Sequence, residues 1–191
     1  EIYGNDSGGF GHMSLSVFQK VLEFIVAIDI KQIRLLGGEP TLHPQFNEFL
    51  QLALQTGYPI RIFSNGFMPE PVLEFLSSLP DDKIILVLNI NDVNFDGYSD
   101  RLDKVLSKLY YKIMPGFNIY HKDVELNPLL DLIQNYNLKK RVRLGLAHPC
   151  LGYENQYLPP KYYADIGCTI LDFARNAMQQ LVKINLDCGF V

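Results

Sequence analysis

Cysteine is scarce in this 191-residue chain, and none precedes Cys150. Cys150, Cys168 and Cys188 are odd in number and widely spaced, a pattern that excludes both a disulfide framework and a zinc site. They read instead as reduced thiols of a cytosolic protein, with Cys168 expected as a small buried hydrophobe within a helical pattern. No apolar stretch approaches the ~20 residues that a membrane helix needs, and the N-terminus lacks the pattern of a signal sequence. A cytoplasmic location and no membrane partner are therefore expected. No run of Lys and Arg exceeds Lys139-Lys140-Arg141, and the formal charge is −4, so the chain carries no footprint for a nucleic-acid backbone. A tRNA or peptide held through loops stays compatible with that charge.

With 48% hydrophobic residues, and 17 basic against 21 acidic side chains, the composition is that of an ordinary globular domain. The length suits a single domain over residues 1–191. Periodicity along the chain alternates between helical and strand patterns. Ser14 to Ile28 reads as a helix with Val17, Phe18, Val21, Leu22, Ile25 and Ile28 on its inner face, and Ser16 with Gln19 at capping-box spacing. Pro44 opens a second helix that Gly57 closes, Pro69 to Leu79 is a third, and Ser99 to about Met114 a fourth. Asn127-Pro128 caps a fifth helix through Tyr136, and Tyr162 to about Leu181 is the last. Strands are expected at 33–36, 60–63, 83–89, 117–120 and 141–146. Strands separated by helices of this length imply βαβ units, hence a parallel sheet in an α/β fold, with ligands at the carboxyl ends of its strands.

Those ends carry the candidate site. Gly37-Gly38-Glu39-Pro40 follows the first strand: glycines without a Cβ let backbone carbonyls approach an ammonium group, and the Glu39 carboxylate can accept or orient a donor. The same four residues also suit a tight turn in which glycine supplies φ > 0 and Pro40 starts a helix. Ser64-Asn65-Gly66 is a strong turn signal at the second strand end. Asn89 and Asn91 share one face if their strand continues, and form either part of a polar cradle or their own Asx turns. His43 and His148 each precede Pro, which fits a ligand or acid–base role and equally a surface turn. Tyr153, Tyr157, Tyr162 and Tyr163 either floor a substrate cleft or pack the last helix. Cys188, followed by Gly189, can offer its sulfur to a cluster, or is a cysteine near the end of the sequence with no ligand role.

The Gly37-Gly38-Glu39-Pro40 strand end, Ser64-Asn65-Gly66 one unit later and the strand–helix order around them resemble the core of radical S-adenosylmethionine (SAM) enzymes. The resemblance covers nearly the whole chain and implies a partial (β/α)6 TIM-like barrel. It implies that Gly37, Gly38, Glu39 and Pro40 hold the amino end of SAM. It further implies that Ser64 and Asn65 contact the ribose or the methionine carboxylate, Asn89 and Asn91 extend the cradle, and Leu146 with its neighbours walls the adenine. The implied activity is reductive cleavage of SAM to a 5′-deoxyadenosyl radical. That radical would abstract hydrogen from a small-molecule or peptide substrate, with flavodoxin or ferredoxin as electron donor.

The sequence departs from the family at its front. Such chemistry needs three closely spaced cysteines, commonly CxxxCxxC, to hold a 4Fe-4S cluster. With none before Cys150, the expectation is a chain trimmed at both ends, its first strand and cluster loop missing and its cluster ligands upstream of Glu1. The 191 residues alone are then expected to be inactive, and Cys188 hints at an auxiliary cluster. The alternative is a cluster-less, non-enzymatic barrel that binds a nucleoside-like ligand or a protein partner. An ordinary TIM-barrel hydrolase or aldolase would need a Lys, paired carboxylates or a His cluster at the strand ends, and none is present.

Overall fold

The computed structural model describes residues 11–80, 82–91, 98–149 and 156–187. Among these residues six α-helices and six strands alternate: α1 (Leu15–Ala27), β1 (Ile33–Leu35), α2 (Phe46–Gln55), β2 (Ile60–Ser64), α3 (Glu70–Ser78), β3 (Ile84–Asn89), α4 (Tyr98–Leu109), β4 (Ile113–Ile119), α5 (Pro128–Tyr136), β5 (Arg141–Leu146), α6 (Tyr163–Gln179) and β6 (Lys183–Leu186). All strand pairs are parallel and follow chain order from β1 to β6. Residues of β1 and of the β6 end line the same cavities, so the sheet curls around a lumen without pairing its two edge strands. This is the α/β partial barrel that the sequence implies.

Strand alternation divides the molecule into two layers. Ile60, Ile62, Ile84, Leu86, Leu88, Val142 and Leu144 point outward into the core under the helices, where all are essentially inaccessible. Their neighbours Arg34, Arg61, Phe63, Asn89, Arg143 and Asp187 fall on the concave side. A parallel sheet covered by helices normally carries continuous apolar strands. Here the inner face instead carries Arg34, Arg61, Asn89, Arg143 and Asp187 beside apolar Phe63 and Met114.

Several local expectations are corrected. The side chain that caps α1 is Ser14, whose Oγ accepts the Val17 N–H at 3.3 Å, rather than Ser16 of the Ser16–Gln19 pair. Phe18 and Leu22 of α1 are buried, Phe18 stacked on Phe49 at 4.4 Å, while Val17, Val21 and Ile28 are exposed. Cys168 is exposed rather than buried. Asn127 makes no capping bond to α5, because its Oδ1 accepts from Asn176 Nδ2 at 3.0 Å; Pro128 alone starts that helix. Helix α4 stops at Leu109, and β4 begins at Ile113, four residues before the expected strand. A sixth strand at Lys183–Leu186 joins the five expected ones, paired to β5 with Arg143 opposite Asn185. Gly57 closes α2 in the left-handed conformation, φ +76°, as its position implies.

Candidate functional site

Strand β1 ends at Leu35 and the chain runs through Leu36, Gly37 and Gly38 to Glu39, which caps a 3-10 turn at Pro40–Leu42. Neither glycine adopts a left-handed φ, and a Cβ built on either meets nothing within 4 Å. The tight-turn reading that required φ > 0 is therefore overturned. Neither backbone conformation nor the packing of the described residues around a Cβ requires glycine at these two positions.

Glu39 acts on two loops at once. Its Oε1 accepts the Thr41 N–H at 3.1 Å and the Thr41 hydroxyl at 2.6 Å, and its Oε2 accepts the Asn65 N–H at 2.7 Å. Charge-assisted bonds of this kind are the stronger ones, so the first strand end is locked to the second. The second turn then closes on itself: Ser64 Oγ accepts from Gly66 N–H at 3.0 Å and Asn65 Oδ1 from Phe67 N–H at 2.9 Å. Gly66, at φ +86°, supplies the left-handed residue that this turn demands.

On the concave side, Gly37, Gly38, Ser64, Asn65 and Asn89 line one cavity of about 230 Å³, together with Arg34, Leu36, Phe63, Asn118, Arg143 and Asp187. Five of the sequence-nominated residues thus meet in one place. Glu39 and Pro40 lie outside the lining, and Glu39 reaches its rim through the bond to Asn65. Asn91 is used elsewhere: its Nδ2 donates to Asn118 O at 2.6 Å and its Oδ1 accepts from Asn118 N–H at 3.1 Å, which clips the ends of β3 and β4 together. Leu146 belongs to the outer core and not to the lining. Cys188 and Tyr153 lie outside the described residues.

Two strand glycines make room for this arrangement. A Cβ on Gly116 would sit 2.8 Å from Asn89 Oδ1, and one on Gly145 would sit 2.6 Å from both Arg143 Nη2 and Asn118 Oδ1. The Arg143 guanidinium therefore crosses the bare strand at Gly145, donates through Nη1 to Asn118 Oδ1 and through Nε to Asp187 at 3.3 Å, and covers the Phe63 ring. Sequence reading missed Arg34, Phe63, Arg143 and Asp187. The available signal was charge at inward-facing strand positions, where a covered parallel sheet should be apolar.

His43 has a structural task. Its Nδ1 accepts the Gln45 N–H at 3.1 Å, which leaves Nε2 to donate to Met13 O at 3.1 Å, with the ring 4.4 Å from Phe49. His148 is exposed, as are Tyr157 and Tyr163, while Tyr162 packs on the core. Among the described residues no group of three His, Cys, Asp or Glu can hold a metal ion, so the residues described do not fit a 4Fe-4S cluster. No described helix is long and apolar enough to cross a membrane.

The fold is similar to that of SuiB from Streptococcus suis. The SAM-bound crystal structure of SuiB superposes with a TM-score of 0.73 at 15% identity, over 96% of this chain and 45% of that one. SuiB bound to its precursor peptide SuiA gives 0.72, also at 15% identity, over 96% and 44%. TYW1 with a lysine–pyruvate adduct gives 0.50 at 14% identity, over 86% and 60%. The chain thus spans less than half the length of SuiB, and at these identities the likeness is one of fold. No curated protein matches it in sequence. The sequence profile of the Radical SAM superfamily matches residues 3–124, more than half of the chain and the part that contains the Glu39-locked strand ends. The chain therefore belongs to the radical SAM superfamily.

Proposed function

We propose that the cavity at Gly37, Gly38, Ser64, Asn65 and Asn89 binds SAM, and that the full-length protein is a radical SAM enzyme acting on a small-molecule or peptide substrate. One observation carries this reading: Gly37 and Gly38 are glycines that neither backbone conformation nor packing requires. What a missing side chain leaves there is room for a ligand's close approach, with backbone carbonyls available to an ammonium group. Glu39 is a positioning residue, since its oxygens are occupied by Thr41 and Asn65. Ser64 and Asn65 likewise spend an acceptor each on their own turn, so the backbone of that turn is presented to the ligand as a rigid edge. Asn89, opposite the bare Gly116, contributes an amide on the lumen side.

A 4Fe-4S cluster, when bound, would supply the electron for cleavage of SAM, and we place its ligands outside the described residues. A peptide substrate is favoured by the SuiB fold, whose own structure holds a precursor peptide. The test is anaerobic reconstitution of the full-length protein, reduction with dithionite in the presence of SAM, and assay for 5′-deoxyadenosine and methionine. Both products, with about four irons per chain from one such cluster, are expected. SAM binding without iron or products would instead identify a cluster-less binding protein.

A further inference from the structure

Beneath the proposed SAM cavity lies a second one of about 290 Å³, lined by Arg34, Arg61, Phe63, Met114, Arg143, Asn185, Leu186 and Asp187. Arg34, Phe63, Arg143 and Asp187 line both, so the two form adjoining storeys of one lumen, and Arg61 belongs to the lower one alone. Arg61 stands two residues before Phe63 on β2, about 7 Å nearer the amino ends of the strands. Charge here is unbalanced. Three guanidiniums line the cavity against one carboxylate, Asp187, and that carboxylate already accepts from Arg143 Nε. Alternation on β5 and pairing with β6 add Arg141 and Lys183 to the same face further down. All this positive charge is gathered inside a chain whose formal charge is −4.

The arrangement is costly to the protein alone. Arg34 and Arg61 are direct register partners on β1 and β2, and like charges placed opposite each other on neighbouring strands repel. The Arg61 guanidinium is pushed below its ordinary value by burial first, then by Arg34 and Arg141, with Asp187 opposing. Its Nε is buried and finds no hydrogen-bond partner among the described residues. A half-buried guanidinium whose Nε has no hydrogen-bond partner among the described residues, lining a cavity beside a second arginine, has the form of an oxyanion receptor.

We propose that this lower cavity is the substrate-anchoring subsite, and that it takes an oxyanion of the substrate, a carboxylate or a phosphate, on Arg34 and Arg61. The proposal rests on the upper cavity being the SAM site. An anion held there directs the rest of its molecule up past Phe63, toward the space above Gly37 and Gly38. Arg143, tied to Asn118 and Asp187, forms the fixed wall between the two storeys.

The test is calorimetric titration of the full-length protein, in low-salt buffer without chloride, with inorganic phosphate, with glutarate and with neutral glutaramide. Phosphate or glutarate should bind saturably and glutaramide should not; whichever anion binds more tightly names the substrate group. R61Q should weaken that binding at least tenfold while SAM affinity stays within about twofold, since one charge-assisted bond is worth about that factor or more. R34Q, made on an exposed side chain, should show the same loss of anion binding if R61Q fails to fold. Absence of anion binding by the wild type, or equal binding by both variants, would overturn the subsite. Failure of SAM to bind while the anions do would refute the proposed function and leave this anion site standing.

Discussion

Glu39 and Asn65 are 26 residues apart, and the Glu39 carboxylate accepts the Asn65 backbone N–H at 2.7 Å. Because the other carboxylate oxygen holds Thr41, one side chain fixes the relative position of two strand ends. Glu39→Gln keeps the shape but turns one acceptor into an NH2 that faces an N–H. The expected cost is about 1–3 kcal/mol in urea melts, together with weaker SAM binding because the rim of the cavity loosens. Unchanged stability would show that the lock contributes nothing.

Gly145 and Gly167 allow the same substitution to be read with opposite signs. An alanine Cβ at position 145 would be 2.6 Å from Arg143 Nη2 and Asn118 Oδ1, whereas one at position 167 in α6 meets nothing within 4 Å. Gly145→Ala should destabilise by about 1–3 kcal/mol through overpacking. Gly167→Ala should stabilise by about 0.5–1 kcal/mol through helix propensity. Thermal melts of the two variants check both signs.

Lys112 is wholly inaccessible, with Nζ donating to Leu79 O at 2.6 Å and lying 4.2 Å from the centre of the Tyr111 ring. It ties the start of β4 to the end of α3. Lys112→Met fills similar space but removes the donor from a part-buried carbonyl, and should cost about 1–3 kcal/mol. Denaturant titration with an unchanged m-value would show that the loss is local.

Glu70 at the start of α3 is held below its ordinary value of 4.5, chiefly by the hydrogen bond from Lys104 and further by Lys108, against some desolvation. A depressed folded-state value means that the unfolded chain binds the proton more readily. The stabilisation is then present above pH 4.5 and is lost as the pH falls through the lower folded-state value. The melting temperature of Glu70→Gln should lie below that of the wild type at neutral pH and converge with it in acid. The gap should also shrink at high salt, because the pair is exposed.

Much of the fold is legible in the sequence because helices and outward strand faces are patterned by burial. Ile60, Ile62, Leu86 and Leu88 leave little choice about β2 and β3. Strand β4 was half hidden, since Pro115 and Gly116 argue against a central strand and Ile113-Met114 continues the apolar pattern of α4. Pairing with β3 and β5 overrides that local preference. Strand β6 is a four-residue edge with Lys183 and Asn185 alternating, too short and polar to stand out. At the site, the strand-end turns were readable as motifs. The hydrogen-bond duties of Glu39, Ser64 and Asn91 were not, because each depends on a partner elsewhere in the turn or on another strand. The arginine floor was missed because charge inside a barrel carries meaning only once register sets Arg34 beside Arg61.

Equilibrium binding of SAM to wild type and Gly38→Ala in the full-length protein tests the central claim most directly. The variant should be as stable as the wild type or slightly more so, since nothing lies within 4 Å of the added Cβ. It should bind SAM at least about tenfold more weakly, because the methyl group occupies the space through which the ligand approaches. Wild-type affinity in a fully folded Gly38→Ala protein would contradict the assignment of this cavity to SAM.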